Sequence, residues 1–161
     1  MKSFTRIAAG PILALTLGVA PSLGQTFEKK NYTYSDWTKG RFSEAVTVTG
    51  PGKMIFLAGV GSEDEKGKGG DILHKGDFTA QCKYAFDKIK RALEKNGAGL
   101  GDIVKMVSYI TDVRYQPDFG KCRQEVFGTT QMPAHTLLTV SQLAWPGMMV
   151  EVDVTAMVPL K

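Results

Sequence analysis

PAHTLLTVSQLAWPGMMVEVD, Pro133 to Asp153, is the stretch whose reading decides the fold. Thr136 to Val140 is β-branched and apolar, which suits a strand. Ala144-Trp145-Pro146-Gly147 interrupts it, because proline lacks an amide donor and glycine tolerates unusual backbone angles. From Met148 to Met157 the pattern alternates, with Val150, Val152 and Val154 facing one way and Glu151, Asp153 and Thr155 the other. The expectation is two strands joined by a turn, with His135 at the start of one and Glu151 within the other. An imidazole and a carboxylate that converge can share acid–base work near neutral pH. The alternative is a solvated strand face carrying a histidine near its turn.

Outward from this stretch, the chain of 161 residues is one domain's worth. It opens like a secretory signal, residues 1–24. Lys2 and Arg6 supply a positive start, Ile7 to Ala20 an apolar run, and Ser22-Leu23-Gly24 small residues before a cleavage at Gln25. The apolar run is short for a membrane span, and Gly10-Pro11 weakens it as a helix. Removing the leader takes two cations from a formal charge of +4 and leaves +2. A charge that small gives no nucleic-acid footprint. The predicted location is therefore periplasmic or secreted, with no membrane contact once the leader is cleaved.

Two cysteines, Cys82 and Cys122, are compatible with a disulfide in an oxidising compartment. Both fall on helical patterns, where small buried thiols are common, so free buried thiols are expected. Two cysteines and two histidines are a poor inventory for a metal site, and no metal is expected.

Gln25 to Gly40 shows no clear period and reads as an N-terminal arm preceding a domain over 41–161. Phe42 to Val48 and Lys53 to Val60 read as a hairpin around Thr49-Gly50-Pro51-Gly52. EKGKGGD, Glu65 to Asp71, lacks the spacing and the Lys-Ser/Thr ending of a phosphate loop and reads as a surface loop. Asp77 can cap a helix to Asn96, with Phe78, Cys82, Ala85, Phe86, Ile89 and Leu93 on one face. Ile103 to Thr111 is an apolar strand, followed by a shorter helix with Phe119, Cys122, Val126 and Phe127 on one side. Two helices on one face of a mixed sheet make an α+β layer fold. Phe42, Met54, Phe56, Val107 and Tyr109 remain for the other face, and a second copy of the chain is the economical cover.

With these elements in place the chain resembles the RidA/YjgF family (also called L-PSP, or enamine/imine deaminase). The resemblance rests on FSEAV at Phe42, FLAG at Phe56, GDI at Gly70 and QCKYAFDKIKRALEKNGAGLGDIVK at Gln81, then on VSYITDV at Val107, PAHT at Pro133 and LAWPGMMVEVDVTA at Leu143. It implies a chorismate-mutase-like fold, a homotrimer with clefts between subunits, and hydrolysis of 2-imino or enamine acids without a cofactor or metal. Glu151 stands at the family's water-orienting glutamate. Gly59 matches the glycine whose amide faces the pocket. Phe42 stands where some members have tyrosine and Ala58 where many have serine; Trp145 would help wall the cleft. His135 stands where deaminating members carry the arginine that grips the substrate carboxylate. Histidine offers at most two donors and is largely neutral near pH 7, whereas arginine offers five and stays charged. The sequence thus points to an exported protein that hydrolyses or binds a small imine-type metabolite. A non-catalytic ligand-binding trimer and a chaperone-like interaction protein are the alternatives.

Overall fold

The computed structural model describes residues 25–67 and 70–160, so the leader expected over 1–24 lies outside the described residues. The elements run β1 (Glu28–Tyr32), β2 (Ala45–Thr49), β3 (Gly52–Phe56), α1 (Phe78–Lys95), β4 (Ile103–Ile110), α2 (Gln116–Phe127), β5 (Ala134–Thr139) and β6 (Val150–Pro159). Short 3-10 turns at Leu100–Asp102 and Val113–Tyr115 lead into β4 and α2.

The main sheet has the order β3-β6-β4-β5. β6 runs antiparallel to both β3 and β4, and β5 runs parallel to β4. This corrects the two hairpins expected from the sequence. β5 and β6 do not pair, because β4 lies between them. β2 does not pair with β3; it joins β1 in a separate antiparallel ribbon, Glu28 opposite Thr49 and Tyr32 opposite Ala45. Alternation identifies strands but not their neighbours, and long connections can carry a strand past the one next to it in sequence. β1 also lies inside the stretch read as a periodless arm. Its residues EKKNY carry no apolar alternation, and its stability comes from the partner strand.

The ribbon is tied to the β5 edge by polar contacts. Ser43 bridges Ala134, Asn31 donates from Nδ2 to Ser43 Oγ at 2.9 Å, and Ser43 Oγ donates to the Met132 carbonyl at 2.6 Å.

Both helices cover one face of the sheet, as the apolar spacing predicts. α1 starts because the Asp77 carboxylate accepts from Ala80 N at 2.9 Å. It buries Phe78, Gln81, Cys82, Ala85, Phe86, Ile89 and Leu93. These pack on Met106 and Ile110 of β4 and on Val150, Val152, Val154 and Ala156 of β6. Gln81 is fully buried yet satisfied: Nε2 donates to the Gly147 carbonyl at 2.8 Å and Oε1 accepts from Met149 N at 2.9 Å. It fixes the loop before β6.

Cys82 and Cys122 form a disulfide with Cα atoms 6.5 Å apart, so the expectation of free thiols is corrected. Each helix is legible by itself in the sequence, but the packing of α1 on α2 that brings the two sulfurs together is a tertiary fact. Among the described residues, no helix is long and apolar enough to cross a membrane, and no cluster of His, Cys, Asp or Glu can hold a metal ion.

Candidate functional site

The residues singled out from the sequence fall into two groups on opposite faces of the sheet. β4 separates them. His135 lies opposite Met106 and shares its helix-facing side, whereas Glu151 lies opposite Tyr109 and faces away from the helices. Within one chain the imidazole and the carboxylate do not converge.

On the open face, Glu151 packs against Gly59. A methyl group built at Gly59 would stand 2.9 Å from the Glu151 carboxyl carbon and collide with Oε1, so any side chain there displaces the carboxylate. Burial raises the Glu151 pKa first, and the carboxylates of Glu63 and Asp153 raise it further. Of those neighbours, Glu63 is neutralised in part by Lys88, whose Nζ lies 2.9 Å from Oε2. Ala58, beside Gly59, is exposed. The same face leaves Phe56 at 72% and Met54 at 50% exposure. Trp145 is brought to neither group: its ring lies across Gly70, 2.6 Å from where a Cβ would stand there.

On the helix side, Phe42 and His135 do come together, with ring centroids 6.4 Å apart. Phe42 therefore does not belong to the open apolar face where the sequence reading put it. It lines a cavity of about 720 Å³ that also contains Trp37, Arg41, Arg123, His135 and Leu137. The turn that carries Trp37 and Phe42 is held by Glu44. Its carboxylate accepts from the amides of Tyr34 and Ser35 and from Thr38 Oγ1, at 3.0 Å and 3.1 Å for the last two. These bonds keep the Glu44 carboxyl below its usual range, the Tyr34 amide contributing most.

His135 is clamped at both nitrogens. Arg123 Nη1 lies 3.2 Å from Nδ1, and Ser108 Oγ lies 3.1 Å from Nε2. An arginine has only donors, so Nδ1 must accept and the proton sits on Nε2, which donates to Ser108. Burial lowers the His135 pKa to about 3, with the charges of Arg123 and Lys105 adding to the effect. The ring is a neutral, oriented acceptor. Sequence reasoning missed Ser108 and Arg123. Ser108 is unremarkable in a strand pattern. Arg123 carried a signal: it lies four residues after Phe119 and four before Phe127, so a cation occupies the buried stripe of α2.

Comparison with known proteins shows the family and the fold. Residues 34–158 match the family described as Endoribonuclease L-PSP. The chain belongs to the RidA/YjgF (L-PSP) family. A RutC family protein of Pyrococcus abyssi is 36% identical over 108 residues, which is 65% of this chain and 76% of the relative. The RutC family protein YjgH of Escherichia coli is 30% identical over 128 residues, 78% of this chain and 89% of the relative. Among solved structures, Rv2704 of Mycobacterium tuberculosis, described as a member of the YjgF/YER057c/UK114 family, superposes with TM-score 0.56 at 26% identity, covering 81% of this chain and 100% of that one. The Rid family protein YyfB of Yersinia pestis shares the fold with TM-score 0.68 at 20% identity, covering 84% of this chain and 100% of that one. The RidA/YjgF fold, two helices on one face of a mixed sheet, is the one described above.

Proposed function

We propose that this RidA/YjgF protein is an exported, metal-free hydrolase of a small imine or enamine metabolite, working in clefts between the subunits of a homotrimer. The observation that carries the reading is Glu151 seated on Gly59. A carboxyl with a raised pKa lies against a glycine on a sheet face where large apolar side chains are uncovered. Such a carboxyl can orient a water and accept its proton as the water attacks an electrophilic carbon, then return the proton to the departing nitrogen. Exposed Phe56 and Met54 favour a second copy of the chain as the cover for this face. That packing allows the Glu151 of one subunit to approach the His135 cavity of the next, which a single chain does not allow. His135, neutral and held at both nitrogens, orients and shapes the cavity and does not carry protons.

The disulfide favours an oxidising compartment, in keeping with the leader-like start of the chain. A nuclease reading has little support, since the net charge is small and the predicted location is remote from messenger RNA. A pure binding role is the second reading, favoured by the absence of the clamp arginine at position 135.

The deciding assay generates imino acids in place with an amino-acid oxidase and follows keto-acid formation while semicarbazide competes. Wild type is expected to accelerate the conversion and Glu151→Gln to lose at least about 100-fold of that rate. Equal rates in the two proteins would remove the hydrolase reading.

A further inference from the structure

We propose that Arg123, delivered from α2, is the anion-binding group of the His135 cavity, and that the ligand it takes is the carboxylate of a small organic acid.

Arg123 is only 8% exposed and has no acidic partner among the described residues. Its Nη1 donates to the Arg41 carbonyl at 3.2 Å and to His135 Nδ1, and its guanidinium carbon lies 5.1 Å from the centre of the Phe119 ring. Nε has no hydrogen-bond partner at all. A buried guanidinium normally meets a carboxylate or a phosphate, since removing the ion from water is costly unless a counter-charge is supplied. This one is offered a carbonyl, a neutral imidazole and a ring face. Burial lowers its pKa only to about 10, so it remains a cation at neutral pH.

The cavity it lines is also of one sign. Lys39, Arg41 and Lys121 stand in its wall with Arg123, and none of the lining residues is Asp or Glu. Positive charge in a low-dielectric concave wall concentrates anions. The volume, about 720 Å³, suits a metabolite. With Nη1 already committed, the one remaining guanidinium edge meets both oxygens of a carboxylate, whereas a phosphate carries further charged oxygens that this edge leaves without donors. His135 is the positioning residue: by accepting from Nη1 it sets the plane of the guanidinium, and Ser108 in turn fixes the ring. The cation missing from β5 at position 135 is thus supplied from the neighbouring helix.

The inference names the ligand class of the cleft proposed above and rests on that cleft being functional, although binding can be measured without turnover. The probes are 2-oxobutanoate, acetate and inorganic phosphate, titrated at pH 7.5 into wild type, Arg123→Lys and Arg123→Gln. Binding is followed by calorimetry and by the ¹⁵N resonance of the Arg123 Nε–H. The carboxylates are expected to bind wild type and to shift the Arg123 Nε–H signal. Arg123→Lys is expected to weaken binding about 10-fold and Arg123→Gln to abolish it. Tighter binding of phosphate than of 2-oxobutanoate would overturn the carboxylate assignment. Undiminished binding to Arg123→Gln, or binding that leaves the Arg123 signal unmoved, would overturn the role of Arg123. If Arg123→Gln does not fold, the wild-type resonance and the lysine variant decide. No binding to wild type, with a change of oligomeric state in the Arg123 variants, would mean that the cation pairs with a neighbouring subunit and would also overturn the proposal. Binding in wild type without hydrolysis would leave this inference standing and defeat the hydrolase reading alone.

Discussion

Glu151 and His135 stand on opposite faces of the same sheet, separated by β4, whose Tyr109 lies beside the one and Met106 beside the other. Any chemistry that needs both groups must therefore be assembled from more than one chain. Replacing Phe56, the most exposed apolar residue of the uncovered face, by Asp is expected to yield monomers in sedimentation velocity where wild type forms the proposed trimer. Hydrolysis should fall with it. A wild-type protein already monomeric at micromolar concentration would defeat the shared-cleft arrangement.

Gly59→Ala tests the seat of Glu151. The added methyl overlaps Oε1, and the carboxylate must swing away from its position. Turnover is expected to drop at least about 10-fold, because a misplaced general base loses most of its contribution. Thermal stability should stay within a few degrees, since the residue lies at the exposed edge of the sheet. Unchanged turnover would show that the Glu151 carboxylate has no fixed catalytic position.

His135 makes the fold sensitive to acid. Its folded pKa, about 3, lies below the ordinary value of 6.5, so the unfolded chain takes up a proton that the folded chain refuses. The stability it contributes is complete above pH 6.5 and is lost as pH falls toward 3. By linkage the loss reaches about 2 kcal/mol at about pH 5. Urea unfolding at pH 7.5 and pH 5 should show this loss in wild type and much less of it in His135→Gln. Equal losses in the two proteins would place the acid sensitivity elsewhere.

Glu151 acts in the opposite direction. Its pKa is raised in the folded state, so the folded chain holds a proton that the unfolded chain has released. Stability is greatest where the carboxyl is protonated in both states and declines as pH rises from the ordinary glutamate value through the raised one. Glu151→Gln should therefore be more stable than wild type at pH 7.5, and that difference should shrink at pH 4. A difference independent of pH would contradict the raised pKa.

The Cys82–Cys122 disulfide closes a loop with a sequence separation of 40. In the chain-entropy description, closing such a loop in the unfolded chain is worth about 4 kcal/mol. Reduction, or the double change to Ala, should lower the melting temperature by about 10 °C or more while the sheet still forms. An unchanged melting temperature on complete reduction would show that the bond adds nothing to stability.

What could be seen in the sequence was local. α1 announced itself through the Asp77 cap and an apolar position every three or four residues, and β6 through its alternating valines. Glu151 came from that alternation and Gly59 from the family resemblance, and the fold sets the one against the other. The misses were relations between distant segments. β5 passes to the far side of β4, β1 takes its shape from β2, and Cys122 meets Cys82 only once two helices have packed. Arg123 stood in plain view on the apolar stripe of α2, but its meaning required knowing that the residue opposite was His135.

The placement of β6 bears on how the chain is made. It sits between β3 and β4 and supplies two of the three pairings in the main sheet, yet it is synthesised after every other described element. Gly52 must wait for Pro159 before it has a partner. Closing so long a span is entropically costly and slow. A nascent chain on the ribosome therefore holds helices and a ribbon but no completed sheet. The last stretch of chain to be made is the one that joins the two halves of the main sheet.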